Sequence, residues 1–565
     1  MSEIRIEFDV PAQMRDGTVL KADIYRPAGD RRRPVLLSRL PYNKSGPVMV
    51  QLLNPVGLAK RGYIVVLQDT RGRFASEGEW DPLTYEEQDG YDTVRWAASL
   101  PGANGSVGMY GASYLGNAQW MAALAKPPEL TAIAPMMTWS EPDDGLFARG
   151  GATEFGFCVP WSLLHGLNTV IRRHAGDPDS GAKPLLSLIE EFDDVASKAY
   201  QELPAGRPPV FRRQDVPEIG SERSRRESGW SSACRIAGRH AEIDLPSLTI
   251  GGWYDMFLQG SLDGYMAMRA AGRPANLVVG PWVHGATFGP QTGDVNFGLA
   301  ASGDLLGLTG SLTDIQADWF ARWLPGADEP RNPSGAGLPP VFLFVMGANT
   351  WRAEQSWPLE RAVDTSVYLR AEGSLSLEPP SADEGYDAYA YDPADPCPTT
   401  GGAILMSTEY RSGPVDQAAI ERRADLLVYD SAPLESDVEV TGRIKAILHT
   451  RTDAPSTDWV VRLCDVDPSG RSLNVVDGIA RVEGQQDAFA ENTVDLWSTS
   501  YLFKKGHRLR VHLTSSNFPR WDRNLNTGES IDTGTAWQVA NQQVVHDAAR
   551  PSRIVLPIVP GPQAG

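Results

Sequence analysis

The first 140 residues alternate between short apolar runs and a segment with helical spacing. A half-exposed strand is predicted at 18–27, because "TVLKADIYRP" alternates apolar and polar residues. Buried strands are predicted at 33–42 and 63–70, where "RPVLLSRLPY" and "YIVVLQDT" are apolar runs that end in turn residues. Residues 85–101 have helical spacing and stop at Pro101. Strands that alternate with helices predict a mainly parallel α/β sheet.

Further along the chain the pattern changes twice. Helical segments such as "WSLLHGLNTVIRRHAG" (161–176) predict a helical cap inserted at 142–240. Strand signals resume in "LPSLTIGGWYD" (245–255) and "ANLVVGPWVHG" (275–285), so the α/β domain is predicted to comprise residues 1–141 and 241–330. Short β-patterned segments separated by turns then predict a jelly-roll β-sandwich over residues 331–565.

One serine lies where a predicted strand turns directly into a predicted helix. In "MYGASYLGNAQWMAALA" (109–125), Ser113 stands at this corner between the small residues Gly111 and Gly116. A serine hydroxyl is a weak nucleophile that needs a base and donors for the developing oxyanion, and a tight elbow can supply both. The motif reads G-x-S-x-x-G instead of G-x-S-x-G, because Leu115 occupies the usual glycine position. Taken alone, it also fits a bystander serine in a strand–helix turn.

Two further residues complete a candidate triad with Ser113. Asp255 ends the predicted strand at 245–255, and His284 follows the next strand. Serine, acid and histidine in this chain order, each just past a strand, form the arrangement of an acyl-transfer triad. Alone, Asp255 fits a helix N-cap and His284 a loop histidine. The other histidines lie in the cap, before a strand or in the β region: His165, His174, His240, His449, His507, His512 and His546.

An oxyanion donor is also expected from the loop after the third strand. That loop, "RLPYNKSG" (39–46), has no HGGG run, so the phenolic O–H of Tyr42 is the candidate donor. Tyr42 also fits an aromatic residue that packs under a loop.

Composition narrows the classes of function. The net charge of −19, and the lack of basic patches with interleaved aromatic residues, argue against a nucleic-acid partner. No apolar run is long enough to span a membrane, and no signal peptide is visible. The four cysteines show no pairing pattern, which is typical of a cytoplasmic protein. No cofactor or metal is predicted, because "DVDPSG" (465–470) has Val476 where a calcium-binding loop needs glutamate.

Six motifs spread over nearly the whole sequence occur together: "LPYNK", "QDTRGRFASEGEW", "GASYLG", "GGWYD", "GPWVHG" and "SSNFPRWDRN". With these motifs the chain resembles the CocE/NonD hydrolases, the cocaine esterase and X-Pro dipeptidyl-peptidase group. This resemblance implies an α/β-hydrolase fold with a helical cap and a C-terminal jelly roll, and a serine hydrolase without a cofactor. The implied triad is Ser113, Asp255 and His284.

The resemblance also implies roles for four more residues. Tyr42 and the backbone N–H of Tyr114 would form the oxyanion hole. Trp161 and Phe257 would line an apolar acyl pocket. The segment "DTRGR" (69–73) is expected to be scaffold.

We therefore predict a carboxylesterase that acts on small-molecule esters, with a homodimer left open. The alternatives are an X-Pro dipeptidyl-peptidase or an α-amino acid ester hydrolase, which need carboxylates to hold the substrate ammonium. Asp255 is followed by apolar residues, and "PDDG" (142–145) fits a polar turn better than such a cluster. A noncatalytic carbohydrate-binding protein is the alternative from another class.

Overall fold

The computed structural model describes residues 3–206, 208–221, 229–285, 288–307, 310–328, 337–381, 383–484 and 488–561. Three strands come first, and strands then alternate with helical segments up to residue 136, as the pattern predicts. These elements are β1 (Ile4–Gln13), β2 (Val19–Pro27), β3 (Arg33–Leu40), α1 (Pro47–Leu53), α2 (Pro55–Ala59), β4 (Ile64–Asp69), α3 (Glu86–Ala98), β5 (Ala103–Ala112), α4 (Tyr114–Ala125) and β6 (Leu130–Met136).

The segment predicted as a helical insertion is mostly helical where it is described. Residues 207 and 222–228 lie outside the described ranges. The elements are β7 (Ala148–Arg149), β8 (Ala152–Thr153), α5 (Phe155–Arg173), α6 (Pro178–Asp193), α7 (Pro209–Gln214) and α8 (Trp230–Ala233). Helices α5, α6 and α7 share an apolar cluster that includes Val159, Leu188 and Phe211, and Phe518 from the C-terminal part of the chain belongs to the same cluster.

The first sheet is completed after the insertion. The elements are β9 (Ser247–Tyr254), α9 (Leu258–Ala270), β10 (Ala275–Val283), β11 (Gln291–Thr292), β12 (Val295–Asn296), α10 (Leu312–Trp323), β13 (Val341–Val345) and β14 (Thr350–Glu354). Ten strands pair in the order β1-β2-β4-β3-β5-β6-β9-β10-β13-β14. The seven strands from β4 to β13 run parallel, so their carboxyl ends meet at one edge, where α/β proteins place their sites.

The predicted boundary at residue 330 does not coincide with the edge of this sheet. Strand β13 pairs parallel with β10, and β14 pairs antiparallel with β13, although both follow residue 330. The sequence pattern identifies these segments as strands but does not show which sheet they join. Residues 329–336, where the boundary was placed, lie outside the described ranges.

Both faces of the central strands are buried. Along β3, Val35 and Leu37 pack into one apolar cluster and Leu36 into the other, because successive side chains of a strand point to opposite faces. Helix α4 is buried along most of its length against this sheet. The burial of both faces explains why β3 and β4 are continuous apolar runs.

The rest of the described chain is a β domain built on a mixed sheet of eleven strands. They are β15 (Val363–Arg370), β16 (Ser374–Ser376), β17 (Asp383–Tyr391), β18 (Leu427–Asp430), β19 (Val438–Thr452), β20 (Ser456–Val466), β21 (Ser472–Glu483), β22 (Ala490–Phe503), β23 (Arg508–Thr514), β24 (Ala540–Asp547) and β25 (Arg553–Val559). Ten of them follow the path β17-β24-β19-β25-β15-β16-β18-β23-β20-β21, and β22 pairs with β19. Two long connections, 392–426 and 515–539, reach the insertion, where Met406 and Phe518 belong to its apolar cluster.

The four cysteines are buried and form no disulfide. Among the described helices, none is both long enough and apolar enough to cross a lipid bilayer. The described side chains also include no group of three or more histidine, cysteine or carboxylate residues arranged to hold a metal ion.

Candidate active site

Ser113 lies at the corner between β5 and α4 with a positive φ. Its φ of 64° and ψ of −126° are unusual for a residue with a side chain, and such strain is concentrated at functional sites. A Cβ on Gly111 would lie 2.8 Å from Leu115 Cβ and 2.9 Å from Ser38 Oγ. A Cβ on Gly116 would lie 2.7 Å from Thr138 Cβ. The close contact with the chain after β6 therefore occurs at position 116, which explains the displaced second glycine of the motif.

Asp255 and His284 meet at the carboxyl edge of the sheet. They follow the neighbouring parallel strands β9 and β10, and His284 Nδ1 lies 2.6 Å from Asp255 Oδ1. Asp255 is fully buried, and the side chain of His284 is 10% exposed. A carboxylate on Nδ1 fixes the ring orientation and leaves Nε2 as the nitrogen for other chemistry. Residues 286 and 287 lie outside the described ranges.

Ser113 and His284 line one cavity of about 270 Å³. Tyr42 and Trp161 lie on the same wall, so the structure brings these four predicted residues together. The other lining residues are Val48, Met49, Leu52, Ala112, Leu115, Phe157, Pro160, Leu164, Phe192, Gly285, Leu405, Met406 and Ser407. Apart from His284, no acidic or basic residue is among the described residues that line it, so the cavity suits a neutral, apolar group.

Three segments that are distant in sequence build the apolar wall. Helix α1 contributes Val48, Met49 and Leu52, and the β domain contributes residues 405–407. Helix α5 contributes Phe157, Pro160, Trp161 and Leu164. Their i, i+3, i+4, i+7 spacing places them on one helix face and is the signal that could have extended the prediction beyond Trp161. Residues 405–407 carry no local signal, because a loop sequence does not show which distant surface it reaches.

The Tyr42 hydroxyl lies between the cap and the serine. Trp161 Nε1 donates to the Tyr42 oxygen over 3.4 Å, and Tyr42 and Ser113 line the same cavity. Burial raises the pKa of Tyr42, because a phenolate is costly away from water. The phenol therefore stays neutral and keeps the proton that an oxyanion donor needs.

The "DTRGR" segment holds the loop that carries Tyr42. Arg73 Nε donates to Pro41 O over 3.1 Å, and Asp69 Oδ1 accepts from Lys44 N over 2.8 Å. Both contacts are buried, so the segment fixes the loop on either side of Tyr42. This agrees with the expectation that the segment is scaffold.

Tyr114 is the first residue of α4. Its backbone N–H lies at the start of the first turn, where the helix offers no carbonyl one turn earlier, so this N–H is available to an anion. The Tyr114 hydroxyl donates to Glu86 Oε1 over 2.8 Å and accepts from Leu83 N over 3.1 Å. Glu86 is itself buried against Arg39, and burial raises the pKa of its carboxyl group. This network anchors the turn on the side away from the cavity.

Phe257 does not take the position expected of an acyl-pocket residue. It is fully buried and is missing from the described residues that line the cavity. Its ring packs edge-on against His284, with ring centres 5.0 Å apart, and also contacts Trp139 and Phe157. Phe257 follows Asp255 by two residues, and that spacing places it behind the histidine. Trp161, in contrast, lies on the cavity wall as expected.

Comparison with known proteins identifies the family. Residues 16–286 match the family described as X-Pro dipeptidyl-peptidase (S15 family), and residues 334–555 match the X-Pro dipeptidyl-peptidase C-terminal non-catalytic domain. A cocaine esterase from Rhodococcus sp. strain MB1 Bresler is 35% identical to this chain, and the match covers 98% of each protein. The chain belongs to the S15 family. This confirms the resemblance that the motifs carry.

Two solved structures share the fold of this chain. An α-amino acid ester hydrolase superposes with a TM-score of 0.78 at 24% identity, over 99% of this chain and 97% of that one. A CocE/NonD family hydrolase from Staphylococcus aureus superposes with a TM-score of 0.68 at 19% identity, over 99% and 94% of the two chains. At these identities the likeness shows a shared fold: an N-terminal hydrolase domain followed by a C-terminal non-catalytic domain.

Proposed function

We propose that this S15 family protein is a serine carboxylesterase that hydrolyses esters of neutral, apolar acids. The observation that carries the proposal is one apolar cavity whose wall holds both Ser113 and His284, with His284 Nδ1 2.6 Å from buried Asp255. The similarity to a cocaine esterase along almost the whole chain supports ester hydrolysis.

The proposed reaction passes through an acyl-enzyme. His284 Nε2 takes the proton of Ser113 Oγ while the oxygen attacks the ester carbonyl carbon, and the carbonyl oxygen becomes an oxyanion. The Tyr42 O–H and the Tyr114 N–H donate hydrogen bonds to that oxyanion. The tetrahedral intermediate collapses, and the alcohol leaves with the proton from His284. Water, deprotonated by His284, then attacks the acyl-enzyme and releases the acid and Ser113.

The charge distribution favours esters of neutral acids over substrates with a free amino group. A peptidase or an amino acid ester hydrolase needs a carboxylate near the reacting carbonyl, and the described lining has none. The acids of "PDDG" are engaged elsewhere: Asp143 pairs with Arg235 over 2.9 Å, and Asp144 Oδ1 accepts from Gly150 N. X-Pro dipeptidyl-peptidase and α-amino acid ester hydrolase activity remain the second candidate, because the family description and a structural relative carry those names.

The finer fold assignments belong to the same proposal. We assign the first sheet to the α/β-hydrolase fold, residues 142–240 to its cap and the eleven-stranded β domain to the jelly rolls. The run of parallel strands with Ser113, Asp255 and His284 after β5, β9 and β10 supports the first assignment. The cavity of about 270 Å³ at Ser113 supports a small-molecule ester as the binding partner. Cytoplasmic localisation stays a prediction from the sequence, and whether the protein forms a homodimer is left open.

A comparison of two chromogenic substrates tests the proposed activity. We expect rapid hydrolysis of 4-nitrophenyl butyrate and no measurable hydrolysis of Gly-Pro 4-nitroanilide, because the described cavity lining offers no acid to a substrate ammonium. The initial rates of both hydrolysis reactions are measured from the absorbance at 405 nm with the same enzyme preparation. Rapid anilide cleavage with a silent ester would contradict the proposal and favour the peptidase. A protein silent towards both substrates would favour the noncatalytic carbohydrate-binding alternative.

Removing the Tyr42 hydroxyl tests the oxyanion hole. Tyr42→Phe is expected to lower kcat for 4-nitrophenyl butyrate by about 10²–10³-fold, the usual cost of one oxyanion donor, with little change in KM. Tyr63→Phe is the matched control, because the buried Tyr63 hydroxyl donates to Ala317 O and lies outside the cavity lining. Full activity in Tyr42→Phe would remove that residue from the site.

A further inference from the structure

We propose that Trp521 and Glu154 are positioning residues that join the C-terminal domain to the first turn of α5 and thereby set the acyl selectivity of the site. The inference rests on the proposed esterase function. It assigns the C-terminal β domain a specific part in catalysis, which is to place one wall of the acyl cavity.

Helix α5 begins without a side-chain cap of its own. The residue before it, Glu154, makes no capping hydrogen bond to the helix. The backbone N–H of Gly156 in the first turn instead donates to Arg520 O over 3.0 Å. A main-chain oxygen of the β domain therefore satisfies a donor that a helix start leaves unpaired.

Three more contacts fix the same joint. Trp521 Nε1 donates to Glu154 Oε1 over 2.9 Å, and both side chains are buried. Thr153 N donates to Asp522 Oδ1 over 2.6 Å, and Asp522 N donates to Thr153 O over 3.1 Å. Residues 520–522 are thus hydrogen-bonded to residues 153–156 through both side chains and backbone. We call this set of contacts the α5 clasp.

The β-domain side of the α5 clasp is itself anchored. Arg520 Nη1 donates to Asp477 Oδ1 over 2.6 Å, and Arg481 Nη2 lies 3.0 Å from Asp522 Oδ2. Asp477 and Arg481 both belong to β21. The α5 clasp therefore fixes the start of α5 relative to β21, because the residues that hold Arg520 and Asp522 belong to that strand.

The helix side of the α5 clasp is closely packed. A Cβ on Gly156 would lie 2.9 Å from Pro519 O and 2.6 Å from Met406 Cε, so the chains touch there. Pro160 removes the N–H that would normally bond to the Gly156 carbonyl one turn earlier. The Tyr200 hydroxyl donates to that carbonyl instead, over 2.7 Å. The first turn is therefore held on both its donor and its acceptor side.

The α5 clasp lies directly before the cavity wall. Phe157 follows Glu154 by three residues, and Trp161 comes just over one turn later on the same face. Trp161 Nε1 also contacts the Tyr42 hydroxyl. A small shift of the first turn of α5 would move the rings of Phe157 and Trp161, which line the acyl cavity. It would leave Ser113 and His284 in place, because these residues follow strands of the first sheet.

The test compares a bulky and a small ester in Trp521→Phe, which keeps an aromatic ring but removes the indole donor. The ratio of kcat/KM for 4-nitrophenyl benzoate to that for 4-nitrophenyl acetate is expected to fall about tenfold, the size of a small misfit in an apolar pocket. The change should appear as a higher KM for the benzoate, with kcat for the acetate within about twofold. Glu154→Gln keeps an acceptor for Trp521 and should retain the wild-type ratio.

Trp459→Phe is the matched control. Trp459 is a fully buried tryptophan of β20 in the same domain, and it lies outside the α5 clasp and the described cavity lining. It should lower the thermal unfolding midpoint without changing the substrate ratio. If Trp521→Phe does not fold, Tyr200→Phe, which removes only the hydroxyl on the Gly156 carbonyl, should lower the same ratio.

Two outcomes would overturn the inference. One is an unchanged substrate ratio in folded Trp521→Phe, or in Tyr200→Phe where the first variant does not fold. The other is an equal loss for both esters, as a general loss of stability would produce. Wild-type protein that hydrolyses neither ester would instead contradict the proposed function itself, and this is read before any variant is compared.

Discussion

Replacing Ser113 with alanine is expected to lower kcat for ester hydrolysis by about 10⁴–10⁶-fold, the loss seen when the nucleophile of a serine hydrolase triad is removed. The fold should survive, because the Ser113 side chain caps nothing at the start of α4. Alanine has the same Cβ, so it meets the positive φ at this corner with no added strain. Steady-state kinetics with 4-nitrophenyl butyrate and the thermal unfolding midpoint measure both expectations.

The control for this variant is Ser106→Ala. Ser106 lies in the first half of β5, the strand that leads to Ser113, and its hydroxyl hydrogen-bonds with Thr131. Ser106 is not among the described residues that line the cavity. Its activity should stay close to that of the wild type. If Ser113→Ala kept wild-type turnover while remaining folded, another residue would be the nucleophile, and the candidate site would have to be sought elsewhere.

The second large effect is expected from Asp255→Asn, which should lower kcat by about 10⁴-fold. The carboxylate accepts a hydrogen bond from the Nδ1–H of His284 over 2.6 Å, which keeps the proton on Nδ1 and leaves Nε2 free to take the serine proton. An asparagine amide can donate at that place, which favours the tautomer with its proton on Nε2. The histidine then lies in the same position but cannot act as the base.

The geometry of the site favours this interpretation over simple unfolding. Asparagine has the same shape as aspartate, and Asp255 is fully buried, so packing is preserved. Asp263→Asn in the adjacent helix α9 is the control, because its carboxylate contacts Gln259 and Arg443 and no residue of the cavity. An Asp255→Asn variant with more than about one tenth of the wild-type kcat would show that this carboxylate does not set the tautomer.

Much of the site can be predicted from short segments, for a physical reason. Ser113, Asp255 and His284 each follow an apolar run that reads as a buried strand, and parallel strands bring their ends to one edge. The pairing of Asp255 with His284 and the shared cavity of His284 and Ser113 agree with that expectation. Their roles in catalysis stay predictions until they are measured.

What could not be predicted depends on contacts between distant segments. Phe257 was expected on the acyl wall, but adjacency to Asp255 does not determine on which side of the imidazole a ring packs. Residues 405–407 and the α5 clasp reach the site from the β domain, and neither has a signature in its own sequence. Strands β13 and β14 could be recognised as strands, but their partner sheet is decided by tertiary packing.

The most direct test of the central claim is to trap the nucleophile with a fluorophosphonate and to locate the adduct by peptide mass mapping. We predict a single adduct on the peptide that contains Ser113, formed in parallel with the loss of esterase activity and absent from Ser113→Ala. The adduct should form much more slowly in Asp255→Asn, because the same base activates the serine in both reactions. An adduct on a different residue, or esterase activity that persists in fully labelled protein, would contradict the claim that Ser113 is the nucleophile.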